Sequence, residues 1–449
     1  MCPVSGRAAG NERGWQAVAS PAERIVLYVA AAAVVVAGFV AAYQFVEPAP
    51  PRRVAMAAGA VDGAYWRFAQ SYRAELARAG IELDVKVTAG SVENLDLLRD
   101  PASGVDIALI QGGVATAEDG RSLVGLGSLF VEPLWIFTKL APPPERLDLM
   151  RGRRIGVGVE RSGTRVLAEQ LLAASGVTAA NAELRTLGGE RALAALLQGD
   201  LDVSLQVAAA SAPVLDHLGE EPGLDLVSLE RAEAYAQVYP YLEHVVLHEG
   251  ALDFAAGVPH RDTDLLAVKG GMVVRNDLHP AIVDMLMVIL RQVHANGDIF
   301  SPPGQFPSPH GLEVPLAPEA LRYYERGPPL LLRHLPFWAA TLIDRAAILL
   351  VPVLTLLLPM LRIVPALLDW RLKSRVWRCY AELAAIERKA LGGDVGTARE
   401  ELERVEREVG ELRLPRSHAH HVYQLRHHLD LVRQRLRAGM VSPSPAARP

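Results

Sequence analysis

Two apolar runs bracket the chain, and between them short apolar strands alternate with amphipathic helices. The first run, 25–46 (IVLYVAAAAVVVAGFVAAYQFV), carries no charge and as a helix spans about 30 Å of hydrocarbon. It is longer than the apolar centre of a secretory signal, and the EPAPPRR that follows lacks a clean small-residue cleavage site. A transmembrane helix over 24–46 is therefore expected. The second run covers 337–368, with its strongest stretch at 346–361. Asp344, Arg345 and Arg362 sit near its edges, where long side chains reach the interface. Pro352, Pro359 and Pro365 predict kinks, which a membrane helix tolerates. A second transmembrane helix is expected there. The WRLKSRVWR that follows is rich in Arg and Lys, so the positive-inside rule puts that end in the cytoplasm. Two spans then return the N-terminus to the cytoplasm and leave the intervening body outside the inner membrane, in a bacterial periplasm or its equivalent.

The body reads as two successive β-α series. Strands are predicted at 54–59, 83–88, 105–110 and 134–138, with helices at 64–78 and 92–98. After LAPPPERL at 140–147, a Pro-rich crossing between lobes, the series restarts. A strand from Arg154 is followed by helix 165–175, strand 183–187, helix 190–198, strand 202–207, helix 210–218 and strand 224–229. Residues 239–248 look extended, 265–275 form an apolar run that pairs back into the first lobe, and 279–296 form a long amphipathic helix. Repeated β-α-β units imply a mainly parallel sheet with helices on both faces. The expected body is thus an α/β, two-lobed clam-shell, with lobe 1 over 52–140, lobe 2 over 141–248 and a return to lobe 1 over 249–300. Ligands in such sheets bind outside the carboxyl ends of the strands. Those ends, at 59–65, 89–94, 111–113, 160–165 and 206–211, are all expected to face one cleft. An irregular, Pro- and Gly-rich segment follows at 301–336. A cytoplasmic helical region is expected over 370–440, with coiled-coil-like spacing across 376–412 broken into a hairpin by Gly392-Gly393. The polar ends, 1–23 and 441–449, read as disordered.

Half of the residues are hydrophobic and the mean hydropathy is +0.17, which agrees with membrane segments. A net charge of −5 leaves no footprint for nucleic acid. The two cysteines, Cys2 and Cys379, lie outside the body, so it has neither a disulfide framework nor a cysteine metal site. His418, His420, His421, His427 and His428 cluster without a carboxylate or cysteine at ligand spacing, and read as a solvated helix face. No metal and no cofactor are expected.

The most informative stretch is 154–176. RIGVGVE reads as a buried strand and VLAEQLLAASG as a helix ending in a glycine cap, with Ser162-Gly163-Thr164 at the turn between them. Two readings are open there. Ser162 or Thr164 is an ordinary N-cap, or the turn's hydroxyls and free N–H groups hold an anion at the helix N-terminus. Enzyme motifs fail. Gly158 and Gly163 have the spacing of a P-loop, but Thr164-Arg165 follows where a phosphate-gripping Lys belongs. No G-x-S-x-G elbow surrounds Ser162, and no carboxylate pair stands out as an acid/base dyad. A cleft lined by small, hydroxyl and amide residues suits binding a small polar ligand without transforming it.

In this order, the stretches AMAAGAVDGAYWRFA, VTAGSVENLDLL, DIALIQGG, GVGVERSGTRVLAEQLLAASGV, GDLDVSLQVAAASAP and YPYLEHVVLHEGAL resemble the TAXI branch of solute-binding subunits of tripartite ATP-independent periplasmic (TRAP) transporters. The resemblance covers roughly 52–296, and its Ser-Gly-Thr-Arg segment is the most specific part. It implies a periplasmic-binding-protein-like (type II) clam-shell that closes on a small organic anion, a carboxylate or amino-acid-like solute, and delivers it to a TRAP-type permease. It implies that Gly63, Tyr65, Ser91, Asn94 and Gln111 bind from the first lobe, and Ser162, Gly163, Thr164, Arg165, Gln206 and Tyr239 from the second. The sequence departs from the family in two places. Asp62 stands in a first loop that is usually Gly-Gly-Thr-rich, and Gly112 follows Gln111 where an acidic residue is common. The anchor and the cytoplasmic helices are additions found in a membrane-tethered subgroup. They also raise an alternative, a membrane-bound solute sensor signalling through those helices.

Overall fold

The computed structural model describes residues 21–44, 48–61, 63–411 and 419–437. Of the ends expected to be disordered, 441–449 and residues 1–20 of 1–23 lie outside the described residues, as do Cys2, Asp62 and His418, while 21–23 are helical. The chain divides into two compact units, Pro48–Ile343 and the combination of Met1–Glu47 with Asp344–Pro449.

In the Pro48–Ile343 unit, apolar five-residue stretches make strands and the segments between them wind over the faces. Lobe 1 starts with β1 (Arg53–Ala57), α2 (Ala64–Arg78; α1, Pro21–Tyr43, belongs to the other unit), β2 (Glu82–Lys86), α3 (Ser91–Arg99) and β3 (Ile107–Gln111). A long β4 (Leu123–Thr138) leads to β5 (Arg154–Gly156), α4 (Gly163–Ala174), β6 (Glu183–Arg185), α5 (Gly189–Gln198), β7 (Val203–Val207), β8 (Asp225–Leu226), α6 (Ala232–Val238) and β9 (Glu243–Leu247). The returning β10 (Thr263–Arg275) precedes α7 (Pro280–His294), α8 (Pro318–Arg326) and α9 (Leu330–His334).

The strand order is β2-β1-β3-β10-β4-β7-β5-β6, with β8 on β4 and β9 on β10. Each end of the sheet is parallel: β1 with β2 and β3, and β5 with β6 and β7. The middle is antiparallel, because β4 and β10 pair with each other and with β3, β7, β8 and β9. A mainly parallel sheet was expected. The difference arises because the connections between the lobes are themselves strands running in opposite directions. β4 pairs with β10 from Leu123 to Pro133 and then, without a break, with β7 from Leu134 to Thr138. The chain therefore crosses between lobes inside β4, before the Pro-rich 140–147. Apolar side chains cover both faces of each half. Met56, Leu109, Leu286 and Ile289 pack on one face of lobe 1, and Leu95, Leu98 and Ile110 on the other. Leu134, Ile155 and Leu171 pack on one face of lobe 2, and Trp135, Leu193 and Leu265 on the other.

Two expectations fail locally. Helix 210–218 is only a 3-10 turn, Pro213–Leu215. The segment 301–336, expected to be irregular, contains α8 and α9 and straps the crossing strand. Gly125 N–H donates to Pro315 O (2.8 Å), Ser128 and Ser308 exchange backbone hydrogen bonds (2.9 Å each), and Tyr324 Oη donates to Leu126 O (2.8 Å). Gly127, at φ +126°, allows this approach, since a Cβ there would meet the Ser308 carbonyl oxygen at 2.5 Å.

The helical unit comprises α1 (Pro21–Tyr43), α10 (Phe337–Leu391) from Asp344 onward, α11 (Val395–Glu411) and α12 (Ala419–Arg437). Leu383, Ile386, Leu402, Val405, Leu425 and Leu429 bring the end of α10, α11 and α12 around a core of their own. Arg435–Glu387 (3.3 Å) adds an ion pair between α12 and α10. Gly38 of α1 lies so close to Leu356 of α10 that a Cβ has no room. Among the described residues no single helix is long and apolar enough to cross a membrane. Phe337–Ile348 and Val353–Ile363, bent by 41° about the break that contains Pro352, meet the length and composition needed together. The two single spanning helices expected at 24–46 and 337–368 are thus not supported in that form. The bend agrees with the loss of a backbone donor at Pro352.

Candidate functional site

The carboxyl ends of the strands in both lobes turn directly into helices, and the short turns aim four helix N-termini at one cavity of about 420 Å³. α2 starts at Gly63, α3 at Gly90, α4 at Ser162 and α5 at Gly188 as N-caps, and all four residues line the cavity. The three glycine caps make no side-chain hydrogen bond to their helices. Unpaired N–H groups and aligned peptide dipoles therefore give the cavity a positive lining built from backbone. Ser162 does cap α4, accepting from Arg165 N–H (3.2 Å) while donating to Val159 O (2.7 Å).

The lobes touch around this cavity. Gln111 Nε2 of lobe 1 donates to Gly163 O of lobe 2 (3.3 Å). Glu93 N–H donates to Arg161 O (3.2 Å), and the Arg161 guanidinium reaches Asp96 (2.9 Å). Arg161 holds φ +61° to do so. Gly90 packs its backbone against Ser162, where a Cβ would meet the serine Cα at 3.3 Å. Arg67 of α2 donates to Ser211 O (2.5 Å) beyond β7.

Eight of the eleven residues expected from sequence line the cavity: Gly63, Tyr65, Ser91, Gln111, Ser162, Gly163, Thr164 and Gln206. Several are also tied down. Thr164 Oγ1 accepts from Val207 N–H (3.1 Å), and Gln206 Nε2 donates to Gly189 O (3.2 Å), holding the start of α5. Three residues lie elsewhere. Asn94 is fully buried in lobe 1, where Nδ2 donates to Leu109 O (2.7 Å) and Oδ1 accepts from Thr88 Oγ1. Arg165 turns along α4 to Glu169 (2.8 Å) and Thr186 Oγ1 (3.0 Å). Tyr239 packs on the lobe 2 core beside Tyr241, with ring centroids 5.9 Å apart. The Arg165→Ala variant is accordingly expected to bind ligand with unchanged affinity in a calorimetric titration. A tenfold loss would instead put the guanidinium on the ligand.

The lining residues that the sequence did not single out include Arg191 and Glu132. Arg191, on the first turn of α5, forms no ion pair or hydrogen bond among the described residues. The turn at Gly188-Gly189 that precedes it is a sixth strand-to-helix junction, readable from its glycines. Glu132 sits on β4 at the cavity wall, 4% exposed, and accepts a hydrogen bond from Tyr65 Oη (2.7 Å). Burial pushes its carboxyl up to about 7, against the pull of the Tyr65 hydrogen bond. The same burial, with Glu132 next, holds the Tyr65 hydroxyl well above its ordinary value. Its signal in the sequence was a lone charge in the apolar run LFVEPLW. Among the described residues no group of His, Cys, Asp and Glu is arranged to hold a metal ion.

The model of the NMT1-like family matches residues 56–327. Comparison with curated proteins finds no match. Among solved structures the chain is similar to an ancestral arginine-binding protein bound to arginine, at 13% identity over 55% of this chain and 94% of that one, with a TM-score of 0.37. It is similar to the alkanesulfonate-binding protein SsuA from Xanthomonas axonopodis pv. citri bound to MOPS, at 16% identity over 55% and 74%, with a TM-score of 0.36. It is also similar to a histidine kinase sensor domain with similarity to periplasmic binding proteins, at 14% identity over 54% and 90%, with a TM-score of 0.36.

Proposed function

The chain belongs to the NMT1-like family, and on that footing we propose that it is a membrane-anchored, extracytoplasmic solute-binding subunit. It captures a small organic anion, a carboxylate or amino-acid-like solute, for uptake through a TRAP-type permease, as a member of the TAXI branch. The observation that carries this reading is the convergence of four helix N-termini on one cavity between two lobes. An anion there meets backbone N–H groups that no side chain caps at the three glycine-capped helix starts, and Arg191 adds a full charge to them. The site holds without reacting, because Ser162 Oγ is committed to Val159 O and has no histidine beside it among its hydrogen-bond partners. Opening and closing of the lobes about β4 and β10 admits and traps the solute.

The helical unit supports the anchor. Val29 is 61% exposed and Leu361 63%, and Val26, Val36, Leu350 and Ile363 are exposed with them. Apolar surface on that scale is covered in a folded protein, and lipid covers it here. α1 and the bent part of α10 lie in the bacterial inner membrane, with the body on the periplasmic side and both termini in the cytoplasm. The test is thermal melting of the detergent-purified full chain against a panel of carboxylates and amino acids. A ligand at a hundred times its Kd stabilises the body by about 2.7 kcal/mol, an upward shift of several degrees. No shift with any of them overturns the reading.

A second reading follows from the separate core of α10, α11 and α12, which makes a module that a solute receptor can signal through. Affinity capture with the full chain separates the two. A co-purifying permease supports transport, and a co-purifying signalling protein supports a sensor.

A further inference from the structure

The anion reading leaves one end of the cavity unused. A directional hydrogen-bond chain runs along the lobe 1 wall. Gln111 N–H donates to Ser91 Oγ at 3.0 Å, Ser91 Oγ stands 3.4 Å from Tyr65 Oη, and Tyr65 Oη donates to Glu132 Oε2 at 2.7 Å. Tyr65 has a single hydroxyl proton and gives it to Glu132, so toward Ser91 it accepts. The chain therefore ends on a carboxylate with acceptor capacity left over. Glu132 lines the cavity at 4% exposure, and among the described residues its Oε1 receives no hydrogen bond.

The surroundings do not neutralise it. Glu190 and Arg191 belong to α5 in the other lobe, and Glu190 lies 3.3 Å from His217. Lys269, beside Glu132's strand partner Val268 on β10, pairs with Glu243 at 2.5 Å. His294 stacks on Phe130 and shares a hydrogen bond with Tyr72 (2.5 Å). Gly270 presses bare backbone against the carboxylate, since a Cβ there would stand 2.9 Å from Oε2. Glu132 is thus held in place at the cavity wall, with Oε1 free of a hydrogen bond among the described residues.

We propose that Glu132 is a specificity-determining residue that requires of the bound anion a hydrogen-bond donor, a hydroxyl or an amino group, placed against Oε1. This inference rests on the solute-binding reading. An anion that presents a carbonyl oxygen at that point sets lone pair against lone pair in a dry site and leaves a buried acceptor unsatisfied. Sites built to hydrogen-bond one substrate group reject analogues lacking it far more strongly than apolar pockets reject a missing methylene. The ligand class is therefore 2-hydroxy and 2-amino acids, selected over the 2-oxo acids of the same skeleton.

The test is calorimetric titration of the full chain in detergent at pH 8. The probes are matched sets: lactate and alanine against pyruvate, and 2-hydroxyglutarate and glutamate against 2-oxoglutarate. In the set that fits the cavity, the hydroxy or amino member binds at least about tenfold more tightly than the oxo acid. The Glu132→Gln variant offers both a donor and an acceptor, so the ratio falls to within about threefold. Equal binding of the members by the unaltered protein, or an undiminished ratio in the variant, overturns this inference and leaves the solute-binding reading standing. Failure of every carboxylate and amino acid to bind overturns both.

Discussion

Replacing Glu132 by glutamine makes the protein more stable at pH 8 and changes the shape of its stability profile. The carboxyl is held at about 7 in the folded protein, against an ordinary value of 4.5. Between those values the native state carries a proton that the unfolded chain has released. Stability from this group is therefore fully present below pH 4.5 and is lost as pH rises through about 7. The loss amounts to about 3 kcal/mol at most, from 1.36 kcal/mol per pH unit. An amide of the same shape never ionises and keeps that stability at all pH values. His294 acts in the opposite direction. Burial lowers it from 6.5 to about 3, so the unfolded chain protonates first and stability falls as pH drops through that window. In the unaltered protein the two slopes oppose each other between about pH 4.5 and 6.5. The Glu132→Gln variant removes one of them and exposes a fall in stability on acidification. Circular-dichroism melting of both full chains across pH 4–8 checks this. A variant that melts lower than the unaltered protein at pH 8 would show that the carboxylate is stabilised by a partner, and the account of a strained buried charge would be wrong.

Adding one methyl at Gly163 weakens ligand binding roughly ten- to hundredfold, corresponding to the ~1–3 kcal/mol of an overpacked contact. Gly163 begins α4 on lobe 2, and the side chain of Gln111 from lobe 1 lies against it. A Cβ would stand 2.8 Å from the Gln111 carboxamide carbon and 3.2 Å from its Cβ. Gln111 is itself buried, so it has little room to withdraw. The lobes must part slightly, and a site assembled from both of them loses its fit. The cost falls on the closed form, while alanine is well suited to the helix itself. Calorimetric titration with the carboxylate that gives the largest melting shift reads the loss, with Arg165→Ala as the companion that leaves binding unchanged. Gly163→Ala binding at full strength would mean that the lobes need not meet at this point.

The same two residues show how far the site was legible in advance. Ser162-Gly163-Thr164 stands out because a serine or threonine between an apolar strand and an amphipathic helix marks a helix start, open to a cap or to an anion, and Ser162 does cap α4. The other lining residues were legible for the same local reason, lying where a strand stops and a helix starts. Arg165 lies outside the lining because its helical neighbour at i+4, Glu169, holds the guanidinium at 2.8 Å. Asn94 lies outside the lining because its side chain turns inward to Leu109 O. Which way a helical residue faces depends on what the helix packs against, and no local pattern states that.

Hydrophobic spacing and turn residues alone determined the α/β class, the alternation of short strands and helices, and the strand-to-helix turns on which most of the lining residues lie, since these follow from local backbone preference and the burial of one face. They also marked the apolar stretches of α1 and α10. The tertiary structure alone decided that β4 and β10 carry the chain between lobes as antiparallel strands, that the segment 308–324 binds back onto β4, and that Glu132 is buried at the cavity wall under the Tyr65 hydroxyl. Each of these joins residues far apart in sequence. Their energies come from pairings and desolvation that exist only once the chain has closed on itself.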